Sequence, residues 1–171
     1  MSFLASKGFF KNNINEYKKC LHSLWFKPSW EIHHNVKGST GFENIFLNNK
    51  NNGPNNWIYA AKMEEQRTLQ LQNVKFNVLL ETAYGFKVTL VGLDSIIFNG
   101  RQIFDKQILV GTSPELEMAL YTVCYYVRPN EDCSVSFGHV KFTIKIIVEK
   151  YWEKEAIVAV DSSAVDEDLL K

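Results

Sequence analysis

Lysine and bulky aromatic side chains alternate along the first 27 residues, where together they could hold phosphate groups and apolar or flat ligands. The residues that carry this pattern are Lys7, Phe9, Phe10, Lys11, Lys18, Lys19 and Trp25. Lysine supplies a compact charge that attracts phosphate without shaped recognition, and aromatic rings bury apolar area or stack on bases. The pattern predicts that these seven residues bind an anionic membrane surface or a partner molecule.

The charge of the chain is sorted by position. Residues 1–57 carry seven lysines against three acids, residues 58–154 are balanced, and residues 155–171 carry one lysine against five acids. Opposite charges at the two ends attract each other between copies, and such head-to-tail contacts build open assemblies. We therefore predict a homo-oligomer, with self-association through the acidic side chains Asp166, Glu167 and Asp168.

No arrangement of residues typical of catalysis stands out. The nine glycines form no phosphate-binding loop, and Ser136 and Gly138 do not complete a nucleophile elbow. His33 and His34 are adjacent, so on a strand they would point to opposite faces and could not share a metal ion. His139 precedes a strand and has no recognisable partner for acid–base work. The sequence thus predicts no catalytic residue, no metal, no cofactor and no enzymatic activity.

The hydrophobic pattern predicts an α+β fold, in which a mostly antiparallel β-sheet body (a sandwich or half-barrel) carries one or two helices. Residues 1–28 form a basic amphipathic arm or helix, residues 29–160 a single β-rich globular domain, and residues 161–171 an acidic tail. The apolar stripe of the arm either packs on the core or seeks a membrane or partner surface. Within the domain, Asn99 and Gly100 between two apolar runs predict a hairpin.

Two segments are ambiguous. Residues 113–127 begin like a helix, with Ser113 as cap, but their second half is rich in β-branched and aromatic types and predicts a strand. Residues 48–56 include six asparagines, which predict a loop or linker because asparagine favours turns.

The three cysteines, Cys20, Cys124 and Cys133, are odd in number and irregularly spaced. No secretory signal precedes them, so the pattern favours free thiols in a reducing compartment, with a disulfide between Cys124 and Cys133 as the alternative. No apolar run is long enough to cross a bilayer.

The order of a basic arm, a polar linker and a compact antiparallel body is similar to that of rhabdovirus matrix proteins, of the plant-infecting type. The matching stretches are Val74–Thr82, Phe86–Gly92 and Gly138–Tyr151. The resemblance implies a non-enzymatic structural protein that self-associates and bridges the viral nucleocapsid and an anionic membrane, with nucleic acid reached through the nucleocapsid. It also implies a location in the virion and at the host cytoplasm or inner membrane face; without a virus, the prediction is cytoplasmic.

Two other functions fit the same residues. A small-ligand or lipid-binding β-sandwich or barrel would enclose an apolar cavity between its strands. A nucleic-acid-binding module would bind oligonucleotides through the basic arm, with a steep dependence on salt.

Overall fold

The structure is a computed structural model that describes residues 1–28, 38–47, 53–81, 87–137, 140–151 and 154–164. Four α-helices and one π-helical turn accompany six strands in these ranges. The helices are α1 (Ser2–Ser6), α2 (Ile14–Phe26), α3 (Trp57–Glu65) and α4 (Pro114–Val127), and the π-helical turn is Glu43–Leu47. The strands are β1 (Leu69–Glu81), β2 (Lys87–Phe98), β3 (Arg101–Val110), β4 (Asp132–Phe137), β5 (Val140–Tyr151) and β6 (Lys154–Ala164).

The strands form two antiparallel sheets of three strands each, in the orders β1-β2-β3 and β4-β5-β6. In the first sheet, β2 and β3 are joined by the predicted turn, where Asn99 and Gly100 both have positive φ (49° and 75°). This conformation matches the right-handed twist of the flanking strands. Strands β3 and β6 lie in contact and join the two sheets. The prediction of an α+β fold with antiparallel sheets is confirmed.

Helix α4 runs without interruption from Pro114 to Val127, so the strand predicted for its second half is wrong. The Ser113 side chain accepts a hydrogen bond from Leu116 N at 3.3 Å, and the proline occupies the first turn. Tyr121 and Cys124 recur at helical spacing and are fully buried. Burial of this face overrides the strand preference of the individual residue types.

Cys124 and Cys133 form a disulfide that ties the end of α4 to β4. Their Cα atoms are 5.6 Å apart because the chain turns back directly after the helix. The prediction of free thiols is therefore wrong for this pair and applies to Cys20, which is free and partly buried.

The arm packs its apolar stripe on the body of the domain, which is the first of the two alternatives that the sequence left open. Leu4 of α1 and Trp25 of α2 are completely buried, and Trp25 belongs to the same apolar cluster as Phe142 and Ile144 of β5. The Asn13 side chain caps α2 by accepting a hydrogen bond from Glu16 N at 2.9 Å. Within the described part of the chain, none of the helices is both long enough and apolar enough to span a membrane.

The second half of the asparagine-rich segment is buried, from Gly53 to Asn56. A Cβ added to Gly53 would lie 2.8 Å from Cδ1 of Ile96, and its φ of +71° also favours glycine. The Asn56 side chain caps α3, accepting from Ile58 N at 3.0 Å. The loop therefore enters the protein interior at this point, and residues 48–52 lie outside the described residues.

Candidate functional site

A buried cluster of polar side chains lies where β3 and β6 meet the first turns of α3 and α4. We call it the polar junction. Its buried members are Asn55, Asn56, Lys106, Thr112, Glu117 and Tyr121.

Lys106 is a lysine buried in the middle of β3, with only 6% of its surface exposed. Its Nζ donates a hydrogen bond to Oδ1 of Asn55 at 2.5 Å and lies 4.0 Å from Oδ1 of Asp161, whose side chain is largely exposed. Burial lowers the pKa of Lys106, and the Asp161 carboxylate opposes this shift only in part. A single carboxylate that is largely exposed to solvent therefore compensates only part of the cost of burying this ammonium group.

Asn55 brings a second donor to the same place. Its Nδ2 is buried and has no hydrogen-bond partner among the described residues. Buried donors without partners are rare in folded proteins and ask for an explanation. Together with Nζ of Lys106, this amide gives the polar junction two groups that an anionic oxygen could satisfy.

Glu117 occupies the other half of the polar junction and is completely buried. Its carboxylate accepts hydrogen bonds from Thr112 Oγ1 at 2.5 Å, from Asn56 Nδ2 at 3.2 Å and from Tyr121 OH at 3.2 Å. Burial raises the pKa of Glu117 to about 7, although the three donors act in the opposite direction. This carboxyl group holds α3, α4 and the end of β3 together, so we assign it a structural role.

A second site lies at the other end of α4. We call it the aromatic groove: a cavity of about 750 Å³ between the arm, the end of α4 and the β5–β6 hairpin. Its aromatic lining residues are Phe9, Phe10, Tyr125 and Tyr126, and its charged ones are Lys11, Glu16, Lys19, Lys27, Lys150 and Glu155.

The structure brings four of the seven predicted arm residues together, because Phe9, Phe10, Lys11 and Lys19 all line the aromatic groove. Lys7, Lys18 and Trp25 do not line the groove. Lys7 lies 5.8 Å above the ring of Phe3, and Lys18 is exposed outside the groove.

The prediction that Trp25 contacts a membrane or a partner is wrong. Its ring is completely buried, and its Nε1 donates to Thr122 Oγ1 at 2.9 Å. The helical stripe that the sequence shows turns this ring towards the core and away from solvent. The tail residues predicted to mediate self-association, Asp166, Glu167 and Asp168, lie outside the described residues.

Sequence reasoning missed Lys106 and Asn55, and it missed Tyr125 and Tyr126 as groove residues. A signal for Lys106 was present, because it shares a strand face with the buried Ile108 two residues on. Nothing local marks Asn55, whose burial depends on packing against another segment.

Only one of the four histidines lies among the described residues. His22 lies exposed on α2, whereas His33, His34 and His139 are outside the described residues. Across those ranges, no group of three or more His, Cys, Asp or Glu side chains is placed to hold a metal ion.

Comparison with known proteins identifies relatives along nearly the whole chain. The family model for the endoribonuclease XendoU matches residues 1–160. A uridylate-specific endoribonuclease of Paralichthys olivaceus is 30% identical over 161 residues, which is 90% of this chain and 38% of that protein. The uridylate-specific endoribonuclease EndoU of Drosophila melanogaster is 28% identical over 153 residues, 84% of this chain and 45% of that protein. The chain thus spans less than half the length of these two relatives.

A solved structure of XendoU, described as a splicing-independent snoRNA-processing endoribonuclease, has the same fold. The two superpose with a TM-score of 0.69 at 18% identity, covering 96% of this chain and 61% of that one.

These matches overturn the predicted identity. The resemblance to a rhabdovirus matrix protein is wrong, because it depended on the order of basic arm and antiparallel strands, which unrelated families share. The predictions of a non-enzymatic protein and of homo-oligomer, nucleocapsid and membrane partners are wrong for the same reason, since the relatives are endoribonucleases. Of the predicted alternatives, the nucleic-acid-binding module agrees better with these relatives. The match over residues 1–160 shows that this chain belongs to the endoribonuclease XendoU family.

Proposed function

We propose that this chain acts on RNA and cleaves it next to uridylates. The observation that carries the proposal is the family match over residues 1–160, together with relatives that are named uridylate-specific endoribonucleases. The polar junction supports it, because its donors suit a phosphodiester group.

A phosphodiester in the polar junction would replace missing interactions. Its oxygens would accept hydrogen bonds from Nζ of Lys106 and from the unpartnered Nδ2 of Asn55. Cleavage increases the negative charge on the phosphate oxygens, and donors fixed in a water-poor site stabilise that charge strongly. Lys106 would therefore bind the reacting phosphate.

Asp161 lies beside the ammonium group of Lys106 and would compete with a phosphate for it. Its Oδ1 lies 4.0 Å from Nζ of Lys106 and its side chain is 67% exposed, so it would have to turn towards solvent for a phosphate to take its place.

The proposal is tested with a labelled oligoadenylate that contains a single uridylate. We expect one cleavage product at that position, no cleavage of the all-adenylate RNA, and a loss of about 100-fold in rate for Lys106→Met, in line with the removal of one charge-stabilising donor. Lys75→Met is the matched control, because Lys75 is an exposed strand lysine whose ion pair with Asp94 lies on the surface.

Urea unfolding of both variants checks that the fold is intact. Absence of a uridylate-dependent product from the unsubstituted chain would contradict the proposed cleavage. An unchanged rate for a folded Lys106→Met variant would remove Lys106 from the reaction.

A further inference from the structure

We propose that the aromatic groove binds an unpaired segment of RNA, stacking its bases on Phe9 and Tyr126 while the surrounding lysines hold its phosphates. No contact in the proposed cleavage reaction uses this groove. The inference relies on the proposed function only for its substrate class, RNA.

The aromatic side of the groove is a connected set of rings. Phe9 and Phe10 lie 5.4 and 5.5 Å from the ring of Tyr126, and Tyr125 meets Tyr126 at 5.0 Å, edge to face. Phe9 keeps 44% of its surface exposed, so a flat ligand can reach it. Bases stack on such rings with little regard to sequence, but only when they are free of a duplex.

The charged side of the groove favours an anion. Lys11, Lys19, Lys27 and Lys150 line it, against the two carboxylates of Glu16 and Glu155. No ion pair within the described ranges engages any of these four lysines. The Glu155 carboxylate already accepts a hydrogen bond from Tyr125 OH at 3.0 Å. The surplus of positive charge is therefore open to phosphate groups.

The shape of the site decides between RNA and a lipid surface. A membrane-binding face must project its apolar side chains so that they can enter the headgroup region. Here the rings line a concave cavity of about 750 Å³, with walls from the arm and from the β5–β6 hairpin. This volume is within the range of about 300–1,000 Å³ typical of ligand sites.

The test measures binding apart from cleavage, by fluorescence anisotropy with a labelled 2′-O-methyl oligouridylate that lacks the free 2′ hydroxyl. We expect the single strand to bind more tightly than the matching duplex. Tyr126→Ala should weaken binding about tenfold, because the substitution removes one ring on which a base stacks. Tyr126→Phe keeps the ring and should retain most of the affinity.

The lysines are tested by their effect on salt dependence. Replacing Lys19 and Lys150 together by glutamine should lower the slope of log affinity against log salt by about one for each phosphate that the variant no longer binds. Controls are Phe104→Ala, which removes a ring that is 63% exposed on β3, and Lys62→Gln, which removes an exposed lysine of α3.

Different results would contradict the groove proposal and the cleavage proposal. The groove proposal is overturned if the folded Tyr126→Ala and lysine variants bind RNA as the unsubstituted chain does, or if Phe104→Ala weakens binding equally. It is also overturned if duplex and single strand bind alike, or if the groove substitutions abolish binding to anionic vesicles instead. Loss of cleavage in Lys106→Met with normal oligouridylate binding supports both proposals, whereas an uncleaved but tightly bound RNA contradicts the cleavage alone.

Discussion

The polar junction and the aromatic groove lie at opposite ends of α4 and use the same kinds of groups in opposite ways. In the polar junction, one lysine and one glutamate are buried among amide and hydroxyl groups. In the aromatic groove, four lysines are exposed at the edge of a cluster of rings. The first arrangement offers few donors with fixed positions, and the second offers many mobile charges.

Because of this difference, we expect substitutions in the two regions to change different properties of the protein. Buried polar groups contribute to the fold only while every partner is present, because an orphaned group is costly in a low dielectric. Exposed lysines contribute little to folding and can therefore be exchanged with small effects on stability. Substitution of Glu117 in the polar junction should therefore act on the free energy of unfolding, and substitutions in the groove on binding.

The largest effect should come from Glu117→Ala. The change leaves Thr112 Oγ1, Asn56 Nδ2 and Tyr121 OH without their acceptor in the protein interior. We expect a loss of about 3–5 kcal/mol in the free energy of unfolding, measured with urea. Phe9→Ala in the groove is the control and should cost far less. Equal losses in the two variants would refute the separation of the two regions.

The polar junction should also make stability depend on pH. The pKa of Glu117 is about 7 in the folded chain and near 4.5 when the chain is unfolded, so the folded state binds the extra proton between these values. The stabilising effect is complete below pH 4.5 and is lost as the pH rises through 7, by roughly 3 kcal/mol.

Glu117→Gln does not titrate and isolates this contribution from the rest of the chain, including Lys106. We expect the urea midpoint of the unsubstituted chain to fall more steeply over this range than that of the variant. Parallel pH profiles would show that Glu117 has an ordinary pKa.

The disulfide should have the next largest effect, because it fixes the end of α4 that carries the groove tyrosines. Cys124 and Cys133 are separated by nine positions, and closing so short a loop stabilises the fold by about 2–3 kcal/mol. Cys124→Ala with Cys133→Ala should lower the unfolding free energy by this amount and weaken oligouridylate binding. Cys20→Ala, which removes a cysteine outside the disulfide, is the control for stability alone, because Cys20 lines the groove and hydrogen-bonds Tyr126. Unchanged stability would contradict the pairing.

The smallest expected effect concerns the cap of α2. Asn13→Ala removes the side-chain acceptor of Glu16 N and should cost about 1 kcal/mol. Asn13→Asp keeps the acceptor and should restore the stability. Because α2 forms one wall of the aromatic groove, hydrogen exchange should increase there and not in the polar junction. Uniform exchange across both regions would mean that they unfold together.

The sequence predicted the elements whose signals are local. The Asn99–Gly100 turn and the alternating pattern of β5 were recognisable because the turn type and the strand period depend on neighbouring residues. The end of α4 was not, because residues such as Tyr121 favour strands by type and are helical here by burial.

The candidate sites depend even more on contacts between distant segments. Lys106 and Asn55 are 51 positions apart, and neither forms a motif with its own neighbours. The sequence shows the lysines and rings of the arm, but Tyr125 and Tyr126 join them only after the chain has folded. The charge and the aromatic content of the sites could thus be predicted from the sequence, whereas the shape of each site could not.

The positions of the two sites on α4 have a consequence for the proposed RNA ligand. Glu117 and Tyr126 are nine residues apart on this helix, which separates them by about 14 Å along its axis and, after about two and a half turns, places them on opposite faces. A single strand that reached both the groove and the polar junction would therefore have to wrap around α4 as well as run along it, so short oligonucleotides can occupy only one of the two sites at a time.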